Sequence, residues 1–306
     1  MARYDSRLIT PPTEEEEIYP YRRVWLSLLI EMGLLFGFTG ALYFVTRLIT
    51  IPPALYEPIN IVIAFLPVIL WLVFSWRRER LVQQPRERLV AVVVISALLA
   101  NAISLPLVDQ VFQIERWLPL ESALNRIVGY TFTAGLVQAL IVYLAIRFAT
   151  WPDHFRIRLD GVAYGASSAV GYATVLNLKF VLTGTPFPAF AAINTFEQVA
   201  ILLCIGVVVG YGLAEVAFNQ RIFPLLLVAT IALSAFIVGA AIPLITGFAN
   251  ARMSVENPVG SVNPLLGLLF SAGLLFVISN VFSFLFNVAE RQETEAAIEE
   301  AEGLGL

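Results

Sequence analysis

Three ionisable side chains interrupt otherwise apolar stretches of this chain: Glu31, Lys179 and Glu197. Charge at membrane depth is costly and marks either function or a structural pair. Lys179 and Glu197 stand nine residues either side of position 188. A helical hairpin turning at Pro186–Pro188 would carry both to the same depth. That register predicts a salt bridge between them, with separate snorkelling to the surface as the alternative. Glu31 falls about 10 Å along the first apolar run at 1.5 Å per residue, within reach of Arg77 or Arg78. A proton relay would need a second ionisable group at mid-depth, and the sequence offers none.

Neutral amides are more numerous there: Asn101, Gln138, Asn177, Gln198 and Asn280. Interhelical hydrogen bonds of about 1 kcal/mol or less account for Asn101 and Asn280. Other reactive groups are scarce. The single cysteine, Cys204, excludes a disulfide framework and any CxxC site. The single histidine, His154, leaves almost no imidazole for metal or acid–base chemistry.

Membrane helices must position these groups. The 306 residues are 58% hydrophobic and 14% charged, with a mean hydropathy of +0.80 and a net charge of −4. Soluble domains run nearer 45–50% apolar and about a quarter charged. This composition excludes an ordinary soluble globule, a disordered chain and a coiled coil. No basic stretch with interleaved aromatics points to nucleic acid. A helix needs about 20 apolar residues to cross the hydrocarbon. Eight stretches meet that length: Val24–Thr50, Pro58–Trp76, Leu89–Val108, Ile127–Phe148, Gly161–Thr183, Thr195–Phe218, Phe223–Gly247 and Pro264–Phe286. Alternating segments of barrel type are absent, so the expected class is an all-α, polytopic membrane bundle.

Fourteen of the nineteen basic residues fall on one side of these spans, four on the other, and Lys179 lies within one. The positive-inside rule makes the rich side cytoplasmic, with both termini there and the lipid bilayer of the plasma membrane as the surroundings. The expected organisation is a cytoplasmic segment 1–23, a transmembrane domain 24–287 and an acidic cytoplasmic tail 288–306. The long first run behind a polar head reads as a retained helix, not a cleaved signal. The basic link 77–88 is either a topology determinant or a seat for anionic headgroups. Leu105–Arg126 reads as a short interfacial helix around Trp117. The tail either docks a partner or is a solvated charged face. No internal repeat of transporter type is present.

The fifth stretch is the most patterned: DGVAYGASSAVGYATVLN, Asp160 to Asn177. Asp160 is placed to cap the helix. Gly161 and Gly165 form a small-xxx-small pair, with Ser168 and Tyr172 expected on the same face and Gly171 as a second smooth spot.

This segment resembles the PrsW family of intramembrane metalloproteases, relatives of the CAAX-processing membrane proteases. The family pattern is Asp-Gly-x-x-Tyr-Gly, a small-residue run to Gly-Phe-Ala, then Glu-Asn after two or three residues. Asp160, Gly161, Tyr164, Gly165, Gly171, Ala173 and Asn177 fall in register, with Tyr172 for the Phe. The catalytic Glu position is Leu176. On the preceding helix, Gln138 and Ala139 stand where the family has two Glu, and Val142 stands for its Lys. On the following helix, Gln198, Leu202 and Gly206 fit the spacing of a His-x-x-x-Thr-x-x-x-Gly motif without the His. The resemblance covers about 134–213, and the family core would span about 127–247.

The resemblance implies metal-activated water hydrolysing peptides inside the bilayer. A catalytic zinc needs three protein ligands and an open position. The family positions here supply none, so the expectation is a scaffold without catalytic residues, metal or cofactor. It would bind a client transmembrane helix, a lipid or a membrane partner in the former active-site crevice. Gln138, Asn177 and Gln198 are expected to line that crevice, bonded to one another, to water or to a ligand. An accessory subunit of a membrane complex and a small-molecule transporter component are the alternatives; an active metalloprotease is the remaining one.

Overall fold

A computed structural model describes residues 23–118, 121–218, 225–249 and 263–303. Eight long helices account for nearly all of them, and there are no strands among the described residues. They are α1 (Val24–Leu48), α2 (Pro53–Glu79), α3 (Leu89–Val111), α4 (Ala123–Ala149), α5 (Leu159–Gly184), α6 (Pro188–Phe218), α7 (Leu225–Ala249) and α8 (Pro264–Gly303). The protein is an all-α polytopic membrane protein. Seven of the eight are long and apolar enough to cross a membrane. The eighth, α5, falls short because its glycines, serines and Asn177 lower its hydropathy. That same composition lets it pack at the centre.

The α5–α6 contact is the most extensive in the molecule, and α3, α2, α7 and α8 pack around it. The apolar stretch of α6 is 89% buried, against 22% for α8, so α6 is an inner helix and α8 an outer one. Large exposed apolar side chains such as Leu29, Val62, Phe132 and Phe276 lie on the outer helices. In water they would be a liability; against lipid tails they are the expected surface.

The observed helices follow the expected spans with shifted ends. α6 begins at Pro188, seven residues before the expected Thr195, because proline is preorganised for a first helical turn. The first residues expected for the seventh span lie outside the described residues. α3 continues through two π-helical stretches, Ala100–Ser104 and Leu107–Val111. The first seven residues of the expected interfacial segment therefore continue α3, one turn follows at Ile114–Trp117, and its last residues open α4.

The two ends of the bundle can be told apart by side-chain contacts. At one end Trp25 of α1 meets Phe286 of α8, with ring centroids 6.2 Å apart. Ser27 Oγ donates to the Phe74 carbonyl of α2 there, at 3.3 Å. This arginine-rich end also holds the α2–α3 and α4–α5 links. At the opposite end Asn60 Nδ2 donates to the Pro186 carbonyl at 2.7 Å, and Tyr56 packs on Phe187.

Candidate functional site

The centre of the molecule is a crossing of glycine backbones. A Cβ built on Gly161 would sit 2.2 Å from the Gly210 carbonyl oxygen, and one on Gly210 would sit 2.1 Å from that of Gly161. Gly165 and Gly206 repeat the relationship at 2.1 and 2.3 Å. Two small-xxx-small pairs thus face each other and close α5 on α6 without intervening side chains. The other side of α5 meets α3. A Cβ on Gly171 would lie 2.1 Å from the Val93 carbonyl oxygen. Ser96 Oγ bonds the Ser168 carbonyl at 2.8 Å and the Ser168 hydroxyl at 2.9 Å, and Tyr172 bonds Ser104. Ser168 and Tyr172 therefore lie against α3, whereas Gly161 and Gly165 lie against α6. At 100° per residue all four positions stay within about 60° of one another, so what changes along the axis is which helix lies opposite.

Asp160 caps in a different manner from the one expected. It lies inside the first turn, fully buried, and reaches back to the preceding loop. Its Oδ2 accepts from the amides of Arg156 at 2.5 Å and Ile157 at 2.9 Å. Its Oδ1 accepts from Arg86 Nε at 2.6 Å. Arg86 in turn pairs through Nη1 with Glu79 Oε2 at 2.7 Å, while its own amide donates to Glu79 Oε1 at 2.7 Å. One buried arginine so joins the end of α2 to the start of α5. A second buried pair, Arg158 with Glu215, joins the starting end of α5 to the last turns of α6. Arg156 donates to the Gln84 and Pro85 carbonyls, Arg88 to the Ala149 carbonyl, and Tyr164 Oη to the Glu87 carbonyl. A water-sized cavity of about 20 Å³ lies beside this network, lined in part by Trp71, Ser75, Glu79, Arg86 and Ser167.

The expected pair of Lys179 and Glu197 does not form. Lys179 Nζ pairs with Asp109 at the end of α3, each side chain about a third exposed. Glu197 faces α8 instead: a Cβ on Gly267 would lie 2.6 Å from its Oε1. Hairpin register fixes depth but not the direction a side chain leaves its helix, and these two leave in different directions. Glu31 accepts a hydrogen bond from Ser75 Oγ at 2.5 Å, with Arg78 as the cation acting on it.

The three amides assigned to the crevice are not joined. No hydrogen bond links Gln138, Asn177 and Gln198. Gln138 is buried on α4, which packs chiefly against α7. Gln198 is half-buried on α6. Ala139 is fully buried, and Leu176 is partly buried against the core. Asn177 is fully buried, yet neither its Nδ2 nor its Oδ1 has a partner. A carboxamide pair, an alanine and a leucine do not make a zinc donor set. Among the described residues, no three His, Cys, Asp or Glu side chains converge as metal ligands. His154 lies at the arginine-rich end, its Nε2 3.7 Å from Glu87.

Comparison with protein-family models, with curated proteins and with solved structures finds no match to this chain.

Sequence reasoning missed Arg86, Glu79, Arg158 and Glu215. A signal was available for one of them: Glu215 stands just inside the arginine-rich border of an apolar run, whereas Glu79 sits among arginines beyond one. The positive-inside count treats every arginine as a solvated marker and so conceals the ones that are internal.

Proposed function

We propose that the chain is a non-catalytic, PrsW-like protein of the cytoplasmic membrane, with both termini cytoplasmic, that engages a partner or client transmembrane helix alongside the distal half of α5. The observation that carries this reading is Asn177. It follows Leu176, the position matching the family's catalytic carboxylate, and its amide is buried with both polar atoms unpartnered. Leaving such a group unsatisfied costs about 1–3 kcal/mol, so a chain that keeps it gains something by doing so. Gly165, where α5 and α6 are sealed, lies twelve residues and about 18 Å away along the helix. One end of α5 is therefore locked, while the other holds a fully buried amide that a polar group of an incoming helix reaches only when the helices around it part.

The test is photo-crosslinking in native membranes. A probe at Leu176 is expected to capture a polypeptide, and one at the lipid-exposed Val62 lipid alone. Lipid alone from both positions contradicts the reading.

A further inference from the structure

The arginines of the arginine-rich end divide into two sets. Arg86 and Arg158 are buried and bond to carboxylates, and Arg88 and Arg156, though exposed, bond to carbonyls of the neighbouring links. Arg23, Arg77 and Arg80 are exposed and bond to no carboxylate among the described residues. These outward arginines share a neighbourhood. Arg77 and Arg80 lie in and just beyond the last turn of α2, and Arg23 immediately precedes α1. The Ser27–Phe74 hydrogen bond holds those two helix ends together. Two aromatic rings set the height of the patch. The Arg80 guanidinium lies 5.4 Å from the Trp76 ring centre, and that of Arg78 lies 5.9 Å from the Phe74 ring centre. Tryptophan at a helix end marks the headgroup level of a bilayer. Exposed guanidiniums at that level repel one another at separations within the Debye length of about 10 Å. A phosphate diester removes that repulsion and accepts the planar N–H fork.

We propose that Arg23, Arg77 and Arg80, beside Arg78, form a docking surface for the phosphate of an anionic phospholipid headgroup. This goes beyond a topology signal, because a topology signal needs only positive charge on the correct side. A headgroup site needs the charges gathered, exposed and held at interface height, and the arginines bonded within the chain show that it does not leave all of them so.

The test uses the full-length protein, purified and offered matched phosphatidylglycerol and phosphatidylcholine, with retained lipid counted by native mass spectrometry. Preferential retention of phosphatidylglycerol is expected. The preference falls roughly fivefold for each arginine removed in Arg77→Gln and Arg80→Gln, following from about 1 kcal/mol per basic residue near the surface. Arg77→Lys with Arg80→Lys keeps most of it, and Arg116→Gln at the opposite end leaves it unchanged. Thermal unfolding of each variant separates loss of the site from loss of the fold. Equal retention of the two lipids by the unaltered protein overturns the proposal, as does a preference indifferent to the glutamine variants. Displacement of the lipid by millimolar inorganic phosphate overturns the lipid assignment in favour of a free-anion site.

Discussion

Arg86 Nε donates to Asp160 Oδ1 across 2.6 Å, and both side chains are wholly shielded from solvent. They are 74 residues apart in sequence. The bond ties the link between α2 and α3 to the first turn of the central helix, and Glu79 pairs with the other side of the guanidinium.

Breaking this arrangement from one side leaves a buried charge without its partner. Arg86→Ala, which leaves Glu79 and Asp160 without their cation, is expected to destabilise the purified protein by about 3–5 kcal/mol, and Asp160→Asn by less, because Glu79 still pairs with Arg86. Replacing all three charges by apolar residues, Arg86→Met with Asp160→Leu and Glu79→Met, is expected to cost less than the sum of the single losses, because no lone charge remains. Thermal unfolding in detergent reads both outcomes. Equal or larger loss in the triple variant would mean that Asp160 acts mainly through the Arg156 and Ile157 amides.

The glycine crossing predicts a sharp contrast within one residue type. Gly165→Val must push the Gly206 carbonyl away and open α5 from α6. Loss of monodisperse protein on size-exclusion chromatography is the expected result. Gly33→Ala and Gly37→Ala have nothing within 4 Å of the added carbon and are expected to leave the elution profile unchanged.

Topology is tested by reporter fusions. Trp25 against Phe286 puts the start of α1 and the membrane portion of α8 at one end of the bundle. Fusions at Gln84 and at the C-terminus are expected to report the cytoplasm, and a fusion at Glu121 the outside. An external C-terminus would contradict the proposed orientation.

The helical membrane class and the approximate spans were legible because length and hydropathy determine them. Gly161 and Gly165 were legible as a close-packing pair because nothing but a neighbouring backbone suits that spacing so well. Lys179 was assigned the wrong partner for a physical reason: sequence distance from a turn gives depth, whereas pairing depends also on rotation about the helix axis. Ser168 and Tyr172 meet α3 because a different helix lies opposite that part of α5. Arg86 was hidden because an arginine in a basic link looks the same whether it faces water or a buried carboxylate. The amides Gln138, Asn177 and Gln198 were grouped through the family resemblance, and α4 packs mostly against α7, so their shared depth does not bring them into contact.

The most direct test of a partner-binding role is Asn177→Leu, measured in isolation. Leucine is close to asparagine in size and removes the unpartnered amide. The isolated protein is expected to gain stability, by up to about 1–3 kcal/mol, and to lose the polypeptide captured from position 176 in native membranes. A loss of stability on the same substitution would show that the amide is already satisfied within the chain, and would contradict its reservation for a partner.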